Sequence, residues 1–525
     1  MNTEHARQHA LGDIPRRSAA RFPSKLAITD GATTLTFAEL DATTNRVSNA
    51  LLARGVTKGD RVALLSRNRW EYAVLSFATA RIGAILVPIN FMLGAGEITY
   101  ILDHSGARTI VAEGALVDTA DAAVDATRVR PQRVVLDEGD HDGWEPFAEW
   151  LKASDATPDF IAVADDDPVR LMYTSGTESR PKGVMLSSRA LMWQYVSCVV
   201  DGGMSADDVD LHALPMYHCA QMDCFLGPDI YLGATSIITA GPNPERVLEL
   251  IEKHKVTKFF APPTVWISLL RSESFATTDL SSLEKGYYGA SAMPIEVLKE
   301  LAERLPNVRL WNFYGQTELS PVATILQPDE QLAHAGAAGR PTLNVETIVV
   351  DDENRPLPTG EIGEIVHRSP HITLGYHDDP EKTAEAFAGG WFHSGDLGVF
   401  DEYGLLRVVD RKKDMIKTGG ENVASREVEE AIYLHTGVAE VAVFGVPDPR
   451  WIEAVAAVVV ARAGVQLTAA DIIDHCRAHL AGYKAPKHVV MADALPKNPS
   501  GKILKRALRD EFGRSEDMGE AHLTR

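Results

Sequence analysis

Through roughly its first 400 residues the chain alternates short β-branched runs with Ala- and Leu-rich stretches of helical length. RVALLS (61–66), AILVPI (84–89), PVRLM (168–172), TSIIT (235–239) and KVTKFFAP (255–262) read as strands. A strand can join a parallel neighbour only by crossing back over the sheet, and the crossover is normally a helix. The alternation therefore predicts an α/β fold of parallel-rich sheets covered by helices. At 525 residues the chain also exceeds what one core supports, so two or more domains are expected.

The boundary is expected at the charged stretch DRKKD, Asp410 to Asp414, between the strand-like GLLRVV (404–409) and the pair Gly419–Gly420. This gives a first domain over 1–410 and a second over 411–525. The second reads as helix (ASREVEEAIYLH), strand (VAEVAVFGV), strand (EAVAAVVVA) and helix (AADIIDHCRAHL) before a polar tail, a small α+β unit.

The formal charge of −21 argues against a nucleic-acid partner, whose phosphates need a basic surface. Any phosphate-bearing substrate must find its positive charge locally, inside a cleft. No window approaches the roughly 18 apolar residues of a membrane span, and MNTEHARQHALGD lacks the apolar core of a signal peptide. Cys198, Cys219, Cys224 and Cys476 form no CxxC pair, and the spacing of His218, Cys219 and Cys224 does not suit common zinc sites. Reduced thiols in a cytoplasmic protein are expected.

Behind PVRLM lies YTSGTESRPKG (173–183), rich in hydroxyls and glycine and ending in Lys182. A Walker A loop requires GxxxxGK[ST], and counting from Gly176 puts Pro181 where the second glycine belongs, so a P-loop ATPase is not expected. Taken alone, the segment reads either as an ordinary loop or as a turn whose backbone N–H groups face an anion beside Lys182. Three further segments supply partners. NFYGQTE (312–318) places Tyr314, suited to stacking on a purine, near Glu318, suited to Mg²⁺. WFHSGDLG (391–398) carries Asp396 on a tight turn, with Arg411 following, and PKNPSGKILKR (496–506) displays Lys502.

With these motifs in this order, the chain resembles the acyl-adenylate-forming superfamily of acyl-CoA synthetases, nonribosomal adenylation domains and luciferases. The likeness runs from LTFAELD (35–41) to KRALRD (505–510). It implies a large N-terminal domain of sheets and helices with a β-barrel-like subdomain, plus a mobile C-terminal lid. It also implies two steps: a carboxylate attacks the α-phosphorus of MgATP to give acyl-AMP and pyrophosphate, and a thiol then takes the acyl group.

Carried over by motif, Thr174, Ser175, Gly176, Thr177 and Lys182 would hold the departing phosphates. Asn312, Tyr314, Gly315 and Gln316 would border the adenine, with Gly289, Ala290 and Ser291 on its other face. Thr317 would touch the α-phosphate and Glu318 the metal, while Asp396 and Arg411 would fix the ribose. Lys502 would act in the first step. Lys413 falls at the hinge, and Lys417, Gly420 and Asn422 in KTGGENV would enter when the thiol arrives. His218 in PMYHCAQ would gate the acyl pocket, which Gln221, Phe313, Pro321 and Val322 would line. The cofactors implied are ATP, Mg²⁺ and CoA, or the phosphopantetheine of an acyl-carrier protein.

Two departures from the family spelling stand out. Glu178–Ser179 replaces Thr-Gly in the phosphate loop, so Glu178 should turn away or pair. Ile452 replaces a glycine after PDP, which would narrow a pantetheine passage and favour a carrier-protein thiol or a rearranged CoA site. Asp223 is expected to face solvent or to cap a helix, since a buried carboxylate needs a partner. The segments around YHCAQ and YTSGTE look most like fatty-acyl-CoA synthetases, so a medium- or long-chain fatty acid is the expected substrate, with a cinnamate-type aryl acid as the alternative. A homodimer is possible. A competing class is a catalytically weak nucleotide-binding protein, which would bind ATP without acid-dependent pyrophosphate release.

Overall fold

A computed structural model describes residues 3, 6, 9–139, 141–174, 181–291, 293–419, 421–497 and 503–512. The chain packs as two units: residues 1–347 with 367–392, and residues 348–366 with 393–525. The charged stretch Asp410–Asp414 lies inside the second.

Two mixed, parallel-rich sheets build the first unit. The nine-stranded one runs Arg340–Pro341, Val322–Leu326, Arg309–Gly315, Lys285–Gly289, Lys258–Phe260, Val209–His212, Thr235–Ile238, Leu26–Thr29, Thr34–Thr36. Its middle strands are parallel, and antiparallel strands close both edges. The eight-stranded one runs Gly375–Tyr376, Lys182–Ser187, Pro168–Thr174, Ile85–Ile89, Arg61–Leu65, Thr109–Ala112, Gln132–Val135, Glu145–Pro146. Its apolar strands are buried almost without interruption, as sheets covered on both faces require.

Local chemistry sets the ends of the elements. Thr36 and Glu39 form a reciprocal capping box that starts Phe37–Ala53. Asn243 caps Pro244–His254, and Lys255 ends that helix in the left-handed region. For this reason the expected strand over 255–262 begins only at Lys258. Pro168–Thr174 and Lys182–Ser187 pair as a hairpin in which Thr174 lies opposite Lys182, so both ends of the suspected phosphate loop are fixed by sheet register.

The second unit carries most of a four-stranded sheet (Glu346–Val350, Gly363–Arg368, Phe392–Phe400, Leu406–Arg411). It also holds a sheet centred on the long pair Val438–Asp448 and Ile452–Ala461. The helices Ser425–Tyr433 and Ala469–His479 pack with this sheet around Val428, Ile432, Val441, Val455 and Ile472. Ile452 has φ 72° and is 70% exposed, next to Trp451, whose ring lies where a Cβ on Gly419 would fall. A β-branched residue in the left-handed region is strained by roughly 1–2 kcal/mol. The position is thus a glycine position that this chain spells with isoleucine.

That strain predicts that Ile452→Gly raises stability. Relief of the backbone strain outweighs the roughly 0.5–1 kcal/mol of extra chain entropy that glycine loses on folding, and little burial is lost. Urea unfolding should give a net gain of about 0.5–1 kcal/mol; a destabilised variant would contradict this account of Ile452.

Candidate active site

In the first unit the ends of three segments converge through one aromatic ring. The Tyr376 hydroxyl donates to Glu318 Oε1 at 2.9 Å, and the Lys182 ammonium lies 5.3 Å from the centre of the same ring. Tyr376 is held by the edge strand Gly375–Tyr376, in register with Val184. Glu318 is held by its own carbonyl, which accepts the Thr373 N–H at 2.7 Å. Burial, with the Glu318 carboxylate beside it, pushes the Tyr376 phenol well above its usual range, so it stays a donor. The hairpin is braced from behind: Tyr100 donates to the Pro181 carbonyl at 3.1 Å, and His104 Nδ1 meets the Tyr173 hydroxyl at 2.8 Å. Ser175, Gly176, Thr177 and the Glu178–Ser179 pair lie outside the described residues, as do Gly420 and Lys502.

Thr317 opens a single 3-10 turn after the strand Arg309–Gly315 and is buried, its hydroxyl 3.3 Å from Cys219 Sγ. Gly315 is needed here: a Cβ would fall 2.0 Å from the Pro321 carbonyl oxygen, where the chain doubles back. Gln316 precedes the turn in extended conformation. Asn312 donates to the Ala337 carbonyl at 3.0 Å. Across the sheet Asn312 is in register with Tyr288 and Phe313 with Gly289, so the Gly289–Ser291 turn lies beside the strand that carries Tyr314. Ala290 takes φ 65° in that turn and, with Ser291, is exposed.

His218 is half-buried and caps a short helix, its Nδ1 accepting the Ala220 N–H at 3.2 Å. Beyond it the expected acyl-lining residues are packed inside. Gln221, Phe313, Pro321 and Val322 are all buried. The Phe313 ring stacks on Phe225 at 5.7 Å, Phe225 stacks on Phe260 at 4.4 Å, and Tyr287 meets both Phe225 and Phe313 edge-on. The expectation for Asp223 is corrected: it is fully buried on the wide turn Met222–Leu226. Its Oδ1 accepts from the Tyr195 hydroxyl at 3.1 Å and lies 3.8 Å from Arg170 Nε. Burial pushes this carboxyl up to about 6, against the opposing pull of Arg170 and Tyr195. Nothing local in HCAQMDCFLG signals Arg170, which comes from the distant strand Pro168–Thr174.

In the second unit Asp396 and Arg411 occupy opposed positions on neighbouring strands, with Nε 2.7 Å from Oδ1. The Ser394 hydroxyl accepts the Asp396 N–H at 3.0 Å. Lys413 is exposed on the turn after Leu406–Arg411. Lys417 and Asn422 are both exposed and in register across the Ile416–Thr418 and Glu421–Val423 strands. The Lys417 N–H donates to Glu453 at 2.7 Å. Sequence reasoning missed Tyr376, His104 and Arg170. The two-residue edge strand that bears Tyr376 is too short to carry a pattern.

Two sheets ending in turns that present Thr317, Glu318 and Lys182, with a following α+β unit, are the build of an adenylate-forming enzyme. The AMP-binding enzyme model matches residues 15–377, and the AMP-binding enzyme C-terminal domain model matches 427–502. A feruloyl-CoA synthase of Amycolatopsis sp is 38% identical over 97% of this chain and 100% of its own length. A long-chain-fatty-acid–CoA ligase of Mycobacterium tuberculosis is 34% identical over 96% of this chain and 98% of its own. The solved structure of an anthranilate CoA ligase in complex with anthranoyl-AMP superposes with a TM-score of 0.89 at 27% identity, covering 97% of this chain and 98% of that one. The chain belongs to the AMP-binding enzyme family, as an acid–CoA ligase whose particular acid these relatives do not fix.

The position of Asp223 gives a pH prediction. Its folded value of about 6 lies above the ordinary carboxylate value. Its stabilising contribution is therefore full below about pH 4, is lost as pH rises to about 6, and is level above that. Asparagine does not titrate. The stability difference, wild type minus Asp223→Asn, should fall by roughly 2–2.5 kcal/mol between pH 4 and 7 in urea unfolding. A difference that is flat with pH would contradict the burial-driven shift.

Proposed function

We propose that this enzyme activates a compact aryl acid of the cinnamate type with ATP, releasing pyrophosphate, and passes the acyl group from acyl-AMP to CoA. Thr174 and Lys182, with the loop between them, hold the departing phosphates, and Thr317 orients the α-phosphate. Developing charge on the phosphoryl oxygens is met by fixed donors and cations, and removal of one well-placed donor of this kind costs roughly 2.7–4 kcal/mol. The carboxylate nucleophile is already ionised, so no general base is required.

Glu318 fits a hard divalent cation. Tyr376 occupies Oε1, and no other hydrogen bond to this carboxylate occurs among the described residues. One carboxylate oxygen together with phosphate oxygens suits Mg²⁺, which would neutralise phosphate charge when bound. In this reading residues 411–525 act as a lid that hinges at 410–414 and alternates between the two steps. Asp396 and Arg411 engage the ribose and Lys502 the first step. Lys417 and Asn422, with Gly420, enter for the thiol.

The observation that carries the aryl assignment is the Phe313–Phe225–Phe260 stack. An aromatic acid extends such a stack through offset or edge-on contact, whereas a long alkyl chain gains little from it. The 38% identity to a feruloyl-CoA synthase supports the same class. A medium- or long-chain fatty acid is the second reading, favoured by the YHCAQ and YTSGTE segments and by the 34% relative. Ile452 favours a carrier-protein thiol as the alternative acceptor.

Pyrophosphate release, measured with 4-hydroxycinnamic, benzoic, decanoic and hexadecanoic acids and with either CoA or a phosphopantetheinylated carrier protein, tests this directly. The hydroxycinnamic acid with CoA should give a kcat/KM about tenfold or more above decanoic acid, the scale that pocket contacts deliver. The reverse order establishes the fatty-acid reading, a preference for carrier protein overturns CoA as acceptor, and no acid-dependent release overturns the ligase.

A further inference from the structure

His212 ends the strand Val209–His212 fully buried, with its Nδ1 in a hydrogen bond and its Nε2 facing a carboxylate without forming one. Gln221 Oε1 accepts the Leu214 N–H at 3.2 Å, which settles which end of the amide is which. Its nitrogen therefore faces His212 Nδ1, at 2.7 Å. An amide nitrogen only donates, so Nδ1 accepts and the ring proton sits on Nε2. Nε2 lies 3.4 Å from Asp229 Oδ2.

Asp229, on the helix Gly227–Leu232, pairs with the ammonium of Lys258, which also lies 3.2 Å from Asp210. Lys258 and Asp210 are neighbours across parallel strands, and all four side chains are fully buried. Asp210, His212 and Asp229 have the spacing of a metal triad, but the Lys258 ammonium already supplies the cation among them. Burial lowers the basicity of His212, and Lys258 adds to this, so the imidazole is neutral despite Asp229.

The chain of contacts thus runs from Lys258 through Asp229 and His212 to Gln221 and ends on the Leu214 backbone. Leu214 and Gln221 bracket the turn that carries His218 and Cys219, and Cys219 touches Thr317. The Gln221 amide closes that turn as a clasp, and His212 holds the clasp shut. We propose that His212 is a positioning residue for the acid-binding turn, acting through Gln221 to fix His218 and Cys219 beside Thr317. This rests on the ligase reading above, in which that turn meets the acid and not the nucleotide. A ring that merely fills space would affect acid and ATP alike.

The test uses the full-length protein and pyrophosphate release, with 4-hydroxycinnamic or dodecanoic acid, whichever the wild type turns over faster. His212→Asn keeps an acceptor where Nδ1 stands and can still take the Gln221 N–H, whereas His212→Leu cannot. His212→Leu and Gln221→Leu should each raise the KM for the acid about tenfold and leave the KM for ATP within about twofold. His212→Asn should restore near-wild-type values, and the His212→Leu/Gln221→Leu double variant should be no worse than Gln221→Leu alone. Should His212→Leu fail to accumulate, Gln221→Glu reads the same contact. It sets an acceptor against Nδ1, and should raise the KM for the acid and not that for ATP.

Joint rises in both KM values, a His212→Asn variant as poor as His212→Leu, multiplied effects in the double variant, or a Gln221→Glu variant with an unchanged KM for the acid would each overturn the inference alone. Absence of acid-dependent release from the wild type would overturn the ligase reading and this inference together.

Discussion

The hydrogen bond from Tyr376 to Glu318, with the Lys182 ammonium above the same ring, is the contact on which the rest of the first unit's site depends. Three segments far apart in sequence meet there: the strand Lys182–Ser187, the turn after Arg309–Gly315, and the edge strand Gly375–Tyr376. The Tyr376 ring and its hydroxyl contact both the Lys182 ammonium and the Glu318 carboxylate. The half-buried phenol remains protonated, so the arrangement holds across the ordinary pH range.

From that contact the site extends inward through layers of different chemistry. Thr317 and Cys219 meet behind Glu318, and the His218 turn lies alongside them. The same unit buries an aromatic stack and two ionic groups, Asp223–Arg170 and Asp210–Lys258–Asp229. Buried charges of this kind add little net stability compared with apolar packing. Their value is directional: each fixes donors and acceptors that a hydrocarbon core would leave free to rotate. Lys258 lies 5.9 Å from the Phe225 ring, so the ionic and aromatic layers are in contact.

Much of this was legible in the sequence, and the boundaries of that legibility are physical. The β-branched runs at 61–66, 84–89 and 235–239 became strands within a residue or two because period and composition agree there. The run at 255–262 started late because Lys255 takes a left-handed helix end, for which lysine gives no signal. Ile452 was visible as a break in the family's spelling, and the structure supplies the reason that glycine is usual there. Asp223 was misread because its partners, Tyr195 and Arg170, arrive from other elements, and no window around a residue reports that. Tyr376 and the His212–Gln221 clasp belong to the same kind: contacts set by tertiary register.

In the proposed reaction the acid's own oxygen attacks the α-phosphorus, so that one carboxylate oxygen ends in AMP. A carboxylic acid labelled with ¹⁸O in both carboxylate oxygens, turned over with ATP and CoA and followed by mass spectrometry of the products, tests it most directly. One ¹⁸O should appear in each AMP, one should remain in the thioester, and pyrophosphate should stay unlabelled. Label in pyrophosphate or inorganic phosphate, or formation of ADP in place of AMP, would contradict the account.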